Sequence, residues 1–167
     1  MNSMNNNLII QQPSWVVTFF ASFLIWFMFA ALVIIWLFHG RFEKRYVLNA
    51  LLASFIAWIV SETIKQFFPT LRPFQVTGVA PLTLTIPQDS AFPSGHTSTA
   101  FALALSISKY NKKIGLFYVV LASLVGISRV IGRVHYFIDV FAGAFIGVIS
   151  VTFLTKIDNL KYVKNRF

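Results

Sequence analysis

The sequence has no cysteine, and acids are almost as scarce: five Asp and Glu stand against fourteen Lys and Arg among 167 residues. Without thiols, neither a disulfide framework nor a thiolate zinc site can form, and redox chemistry places no limit on the compartment. Of the five acids, only Glu62, Asp89 and Asp139 fall on one common side of the topology set out below, too few and too scattered for a two-metal centre. No basic residue precedes Arg41. A secretory signal with a charged n-region is therefore missing, and the first apolar stretch is expected to stay attached. Charged residues make up only 11% of the chain, which excludes an ordinary soluble domain of this length.

What fills the chain is hydrocarbon, with 57% hydrophobic residues, 17% aromatics including 19 Phe, and a mean hydropathy of +0.73. Such a composition belongs in a bilayer. The expected fold class is all-α, a polytopic transmembrane helical bundle of five spans with a sixth possible. A polar tail over 1–14 precedes one membrane-embedded domain over 15–155. The spans are read at about 15–38, 46–68, 95–108, 114–131 and 136–155, each a run of apolar residues near the length that crosses a hydrocarbon core of about 30 Å. Trp15 and Trp36 read as interface anchors of the first. Residues 69–92 form the longest break, an outer loop punctuated by Pro69, Pro73, Gly78, Pro81 and Pro87, with an alternating run from Leu82 to Ile86 that reads as a short strand. Gly143 and Gly147 have the small-xxx-small spacing of closely approaching helices, read here as internal packing. Residues 156–167 form a basic tail.

The net charge of +9 raises the question of nucleic acid, and the positions of the cations answer it. Arg41, Lys44, Arg45, Lys109, Lys112, Lys113, Lys156, Lys161, Lys164 and Arg166 all fall on one side of the five-span topology. By the positive-inside rule that side is cytoplasmic, which places the N-terminus outside, the C-terminus inside and the protein in the plasma membrane. No nucleic-acid partner is expected. Lys65, Arg72, Arg129 and Arg133 gather on the outer side, where the insertion rule does not account for them.

On that rim the ends of the second and fourth spans meet the starts of the third and fifth. Lys65 closes the second span and Arg72-Pro73 follows. Pro93-Ser94-Gly95-His96 opens the third, a helix N-terminus whose free N–H groups and dipole suit an anion. Arg129, His135 and Asp139 complete the set, with His135 and Asp139 four apart and read as sharing a helix face, so that the carboxylate orients the imidazole. By chemical role, His135 attacks phosphorus and His96 protonates the departing oxygen and then activates water. Lys65, Arg72, Arg129 and the N–H groups around Ser94 and Gly95 hold the phosphate oxygens. No metal and no cofactor enter this scheme. A blander reading pairs Lys65 with Glu62 as a helix-surface ion pair, treats Arg72 and Arg129 as interfacial snorkelling residues, and makes Ser94 a helix cap. Arg133 reads as a headgroup contact.

The three segments Lys65-x6-Arg72-Pro73, Pro93-Ser94-Gly95-His96 and Ser128-Arg129-x5-His135-x3-Asp139 together resemble the three-part signature of the type 2 phosphatidic acid phosphatase and vanadium haloperoxidase superfamily. The resemblance covers about residues 60–145 and has all its positions in order. It implies an integral-membrane lipid phosphatase in which His135 is nucleophile, His96 acid and dephosphorylation metal-independent. Two departures stand out: many members have six spans, and a proline often follows the His-Tyr pair where this chain has Phe137.

The implied substrate is a lipid phosphate or diphosphate, with undecaprenyl diphosphate preferred by analogy to short bacterial members. Phosphatidate or phosphatidylglycerophosphate is the alternative, and a non-catalytic phospholipid-binding membrane protein a remote one. The site is expected to face the extracytoplasmic side.

Overall fold

The computed structural model describes residues 9, 11–39 and 44–164. Ser14 opens the first membrane helix, its Oγ accepting from Val17 N at 3.4 Å. Helix α1 (Trp15–Thr18) continues through a π-helical segment, Phe19–Phe23, into α2 (Leu24–His39). Then come α3 (Lys44–Phe67), the short α4 (Pro73–Thr77), α5 (Gly95–Tyr110), α6 (Lys112–Ile131) and α7 (Phe137–Lys164). Pro73 at the first position and Gly78, with φ of 68°, at the C-terminal cap confine α4 to five residues.

Among the described residues, four stretches are long and apolar enough to cross a membrane: Trp15–Ile34, Lys44–Phe67, Lys112–Ile131 and Phe137–Asp158. The protein is a multi-pass, all-α membrane protein. The remaining expected span is α5, and at 16 residues, about 24 Å, it is shorter than the hydrocarbon core. It lies at the centre instead, packed against α3, α6 and α7. Its buried positions are small, Gly95, Thr97, Ser98, Ala100, Ala102 and Ala104 among them, which lets three neighbours approach at once.

The core runs through Met28 and Leu32 of α2, Ala50 of α3, Leu103 of α5 and Tyr118 and Val125 of α6. Tyr118 satisfies its buried hydroxyl by donating to Met28 O at 3.0 Å. The bulky aromatics point the other way: Trp26, Phe55, Trp58, Phe117, Phe141 and Phe145 are all exposed. Small inside and large outside is the arrangement of helices that meet lipid rather than water. Gly143 and Gly147 do serve internal packing. A Cβ on Gly143 would stand 2.6 Å from Ser94 O, and one on Gly147 2.9 Å from both Ser98 O and Ala102 N.

Three expectations need correction. The run Leu82–Ile86 is not a strand, because its polar groups turn to other elements: Leu82 N donates to Gly132 O and Leu84 N to Thr18 Oγ1, and Thr83 Oγ1 donates to Thr85 O. The N-terminal segment is not a free tail where it is described. Ile9 N donates to Gly78 O, Ala80 N to Ile9 O, and Ser14 N to Leu82 O, strapping it to the outer loop. The basic segment after 155 continues α7 as far as Lys164, and Asp158 is held by Asn49 Nδ2 at 2.6 Å. Residues 1–8, 10, 40–43 and 165–167 lie outside the described residues, so the calls on them, including Arg41 and Arg166, do too.

Placing a branched side chain between α5 and α7 should therefore cost more than any outward change. We expect Gly147→Val to lower stability by about 2 kcal/mol or more, because the added carbons meet backbone that cannot rotate away. Phe145→Leu, on the outward face, should cost less than about 0.5 kcal/mol. Thermal unfolding in detergent compares the two, and equal midpoints would contradict the packing.

Candidate active site

The end of α6 folds back on itself. Gly132 N donates to Ser128 O, Val134 N and His135 N both to Arg129 O, at 3.2 and 3.3 Å. Arg133 makes the reversal with φ of 61°, a left-handed conformation unusual for a side chain of its size. Its guanidinium meets Gln11 Oε1 and its carbonyl accepts from Phe74 N. The five residues between Arg129 and His135 are thus a turn that returns His135 to the arginine, with Arg129 Nη2 3.4 Å from His135 Nε2.

His135 lies two residues before α7, not within it. Asp139 is at the third helical position and reaches back, its Oδ2 accepting from Tyr136 N at 2.8 Å. The same oxygen stands 3.4 Å from His135 Nδ1, a contact without hydrogen-bond alignment, and Nδ1 has no hydrogen-bond partner. The pairing of His135 and Asp139 thus comes from a helix cap, not from a shared helix face. Nδ1 faces a carboxylate and Nε2 faces two guanidinium donors. This arrangement favours the neutral tautomer with its proton on Nδ1 and a lone pair on Nε2. Burial, with Arg129 and Arg72 beside it, lowers the His135 pKa well below its ordinary value and keeps the ring uncharged.

Arg72, the second neighbour of Nε2 at 3.3 Å, is 1% exposed. Its guanidinium is spread over backbone carbonyls, with Nη1 to Val134 O at 2.6 Å, Nε to Asp89 O at 3.0 Å and Nη2 to Ser90 O at 3.2 Å. Nη2 also meets Asp89 Oδ1 at 2.9 Å. Burial lowers its pKa while Asp89 opposes the shift. Arg129 donates through Nη1 to Ala21 O at 3.2 Å, a carbonyl of the π-helical segment, and its Nε has no partner. A π-helical turn loosens the regular i→i−4 ladder, which suits a carbonyl that serves a side chain from another helix.

Lys65 closes α3 and donates to Glu62 Oε1 at 2.8 Å, as the blander reading of this residue holds, and to Asp89 Oδ2 besides. Gly95 lies beneath this pair, since a Cβ there would be 3.1 Å from Glu62 Oε1 and 3.8 Å from Lys65 Nζ. His96 stands in the first turn of α5. Ser94 is the N-cap residue, but its Oγ pairs with Thr97 Oγ1 at 2.9 Å and its N–H donates to Asp139 O at 3.0 Å. Its amide is therefore spent on α7. The first-turn N–H groups of Gly95, His96 and Thr97 are the ones that lack an intrahelical acceptor.

A cavity of about 770 Å³ joins these groups. Lys65, Arg72, Gly95, His96, Arg129 and His135 line one end, while Ser94 and Asp139 are buried behind it. The other end is apolar, walled by Phe23, Trp26 and Phe29 from the first helix and Leu51, Phe55 and Trp58 from α3. Ser22, at the junction, has a buried hydroxyl without a partner. Asp89, the Ala21 carbonyl and Ser22 are site components that the sequence pattern does not single out. Only the acidity of Asp89, in a chain with five acids, was a signal for any of them.

The model of the PAP2 superfamily matches residues 46–162. The bacitracin transport permease protein BcrC of Bacillus licheniformis is 34% identical over 139 residues, covering 83% of this chain and 68% of the relative. The undecaprenyl-diphosphatase BcrC of Bacillus subtilis is 32% identical over 120 residues, covering 71% and 61% respectively. The chain thus spans only about two thirds of the length of these curated relatives. Among solved structures, LpxE of Aquifex aeolicus superposes with a TM-score of 0.65 at 28% identity, covering 92% of this chain and 90% of that one. A transmembrane PAP2-type phosphatidylglycerolphosphate phosphatase from Bacillus subtilis gives 0.62 at 25% identity, covering 93% and 82%.

The uncharged, buried His135 has a consequence for stability. The unfolded chain takes up a proton at this ring near pH 6.5, whereas the folded chain does so only at lower pH. The stability it contributes is complete above pH 6.5 and is lost as pH falls below it. Melting midpoints measured between about pH 8 and pH 5 should fall toward acid, and less steeply in His135→Gln. Parallel slopes in the two proteins would contradict a depressed His135.

Proposed function

Because this chain belongs to the PAP2 superfamily, we propose that it is a membrane-embedded lipid phosphatase that works through a phosphohistidine on His135. One observation carries the reading. The lone pair of His135 Nε2 points between Arg72 Nη1 and Arg129 Nη2, at 3.3 and 3.4 Å, at the polar end of a cavity whose other end is hydrocarbon.

A terminal phosphate drawn to Lys65, Arg72, Arg129 and the amides at the start of α5 presents phosphorus to Nε2. The N–P bond forms as the P–O bond to the lipid breaks, and His96, which takes up a proton from solvent as the phosphate anion binds beside it, passes that proton to the leaving oxygen. His96, now neutral, accepts a proton from water; the water oxygen attacks phosphorus, the N–P bond breaks, and phosphate leaves with His135 restored. Asp139 stabilises the ring of His135 while Nε2 carries the phosphoryl group and the imidazole is positive. The scheme routes no step through a metal.

The substrate we favour is undecaprenyl diphosphate, on the strength of relatives that carry that name and of an apolar end that suits a long hydrocarbon chain. Phosphatidylglycerophosphate or phosphatidate is the alternative, supported by the solved phosphatidylglycerolphosphate phosphatase of the same fold. A non-catalytic phospholipid binder needs none of the orphaned polar atoms, Arg129 Nε and His135 Nδ1, that this site keeps. The distribution of cations argues for a plasma-membrane protein with the site outside and the C-terminus in the cytoplasm.

The deciding measurement is phosphate release by the detergent-purified chain from undecaprenyl diphosphate, phosphatidate and phosphatidylglycerophosphate, with EDTA present throughout. We expect turnover of the diphosphate to exceed the others and His135→Ala to lower kcat by at least about a thousandfold. Turnover that depends on added magnesium would overturn the metal-free mechanism, and near-normal turnover by His135→Ala would remove the nucleophile. Release from none of the three would leave the binding-protein reading.

A further inference from the structure

Lys65 and Arg72, two of the cations assigned above to the substrate phosphate, already hold an anion. The carboxylate of Asp89 bridges them, Oδ2 to Lys65 Nζ at 2.5 Å and Oδ1 to Arg72 Nη2 at 2.9 Å. Two carboxylate oxygens on two cations reproduce the way two oxygens of a phosphate would be bound. The backbone here is pinned independently of that side chain. Arg72 Nε donates to Asp89 O and Nη2 to Ser90 O, Ser90 Oγ donates to Phe68 O at 2.7 Å, and Ala91 N donates to Thr70 O. The Asp89 side chain is by contrast 45% exposed and lines the cavity. It can leave the cations by rotating about its own bonds while the chain around it stays in place. Burial pushes its carboxyl pKa up, but Lys65 and Arg72 together outweigh that and hold it below the ordinary value, so it is an anion at neutral pH.

We propose that Asp89 is a charge filter, a resident anion on Lys65 and Arg72 that yields only to a phosphate more negative than itself. The inference rests on the phosphatase reading of the site and adds to it a residue that selects among phosphates. A terminal phosphate carries about 1.5 to 2 negative charges near neutral pH and can replace a carboxylate on the two cations. The phosphodiester of an ordinary phospholipid carries one charge and gains nothing over the carboxylate it would displace. A cavity walled by membrane-spanning helices lies within reach of such diesters, and without a competitor they would occupy the cations. With one, the affinity for any phosphate is reduced by the fraction of sites that Asp89 leaves free, and a weak ligand falls below use.

The test is calorimetric titration of the detergent-purified full chain at pH 7.5 with inorganic phosphate and with dimethyl phosphate, a soluble diester. Wild type should bind phosphate at least about tenfold more tightly than the diester, and Asp89→Asn, with its cations left free, should bind both ligands at least about threefold more tightly than wild type does. Unchanged affinity for both ligands in Asp89→Asn overturns the filter. So does weaker phosphate binding by an Asp89→Asn protein of normal melting temperature, because the carboxylate would then support the cations rather than compete for them. A wild-type ratio below about threefold overturns it without any variant. If wild type binds no phosphate and releases none from any lipid, the phosphatase reading fails and the filter with it. If lipid phosphate is hydrolysed while Asp89→Asn leaves both affinities unchanged, only the filter fails.

Discussion

Arg72 and Arg129 must stay charged while buried, and the end of the bundle that holds them is built to allow it. Removing a guanidinium from water costs several kcal/mol unless its donors are met. For Arg72 the acceptors are the carbonyls of Asp89, Ser90 and Val134 together with the Asp89 carboxylate, and for Arg129 the carbonyl of Ala21. These carbonyls come from the outer loop, from the turn after α6 and from the π-helical segment of the first helix. Two side chains thus tie three distant parts of the chain to one point. Backbone carbonyls also leave both cations most of their charge, whereas full neutralisation by acids would leave them little attraction for a phosphate. The arrangement holds the cations in place and keeps them available to a ligand.

The same end depends on how closely the helices approach. Gly143 rests against Ser94 O, and Ser94 N donates to Asp139 O, so the starts of α5 and α7 are joined by one close contact and one hydrogen bond. That junction brings the first turn of α5, with Gly95 and His96, beside the cap of α7, with Asp139 behind His135. The small side chains along α5 extend the contact into the bundle. A short central helix surrounded by three longer ones has no need to cross the membrane unaided, and its polar first turn stays at the rim with the other charged groups.

The cavity unites two environments that a lipid phosphate also unites. Its polar end holds cations, a neutral imidazole and free amides, and its apolar end is walled by aromatics of the first helix and α3. Because that wall is made by membrane-spanning segments, the hydrocarbon part of a ligand can remain in an apolar medium while its charged end meets the cations. Asp89, in the loop 69–92, is 45% exposed and lines the cavity beside Lys65 and Arg72.

The sequence by itself determined the class of protein and most of the groups that the proposed chemistry uses. In a chain this apolar, Lys65, Arg72, His96, Arg129, His135 and Asp139 cannot be hidden by composition: each charged or titratable group inside a membrane protein is conspicuous, and their spacing carries the family signature. Helix existence was equally legible, since apolar runs near the length of a bilayer crossing have few alternatives. Only the tertiary structure decided what those groups touch. It placed Asp89 on Lys65 and Arg72, spent the amide of Ser94 on α7, gave Arg129 the Ala21 carbonyl, and turned the alternating run Leu82–Ile86 into a loop bonded to Thr18 and Gly132. The physical reason is common to all of these. Their partners are backbone groups or residues far away in the chain, and a carbonyl oxygen is the same at every position, so no residue type marks it in advance.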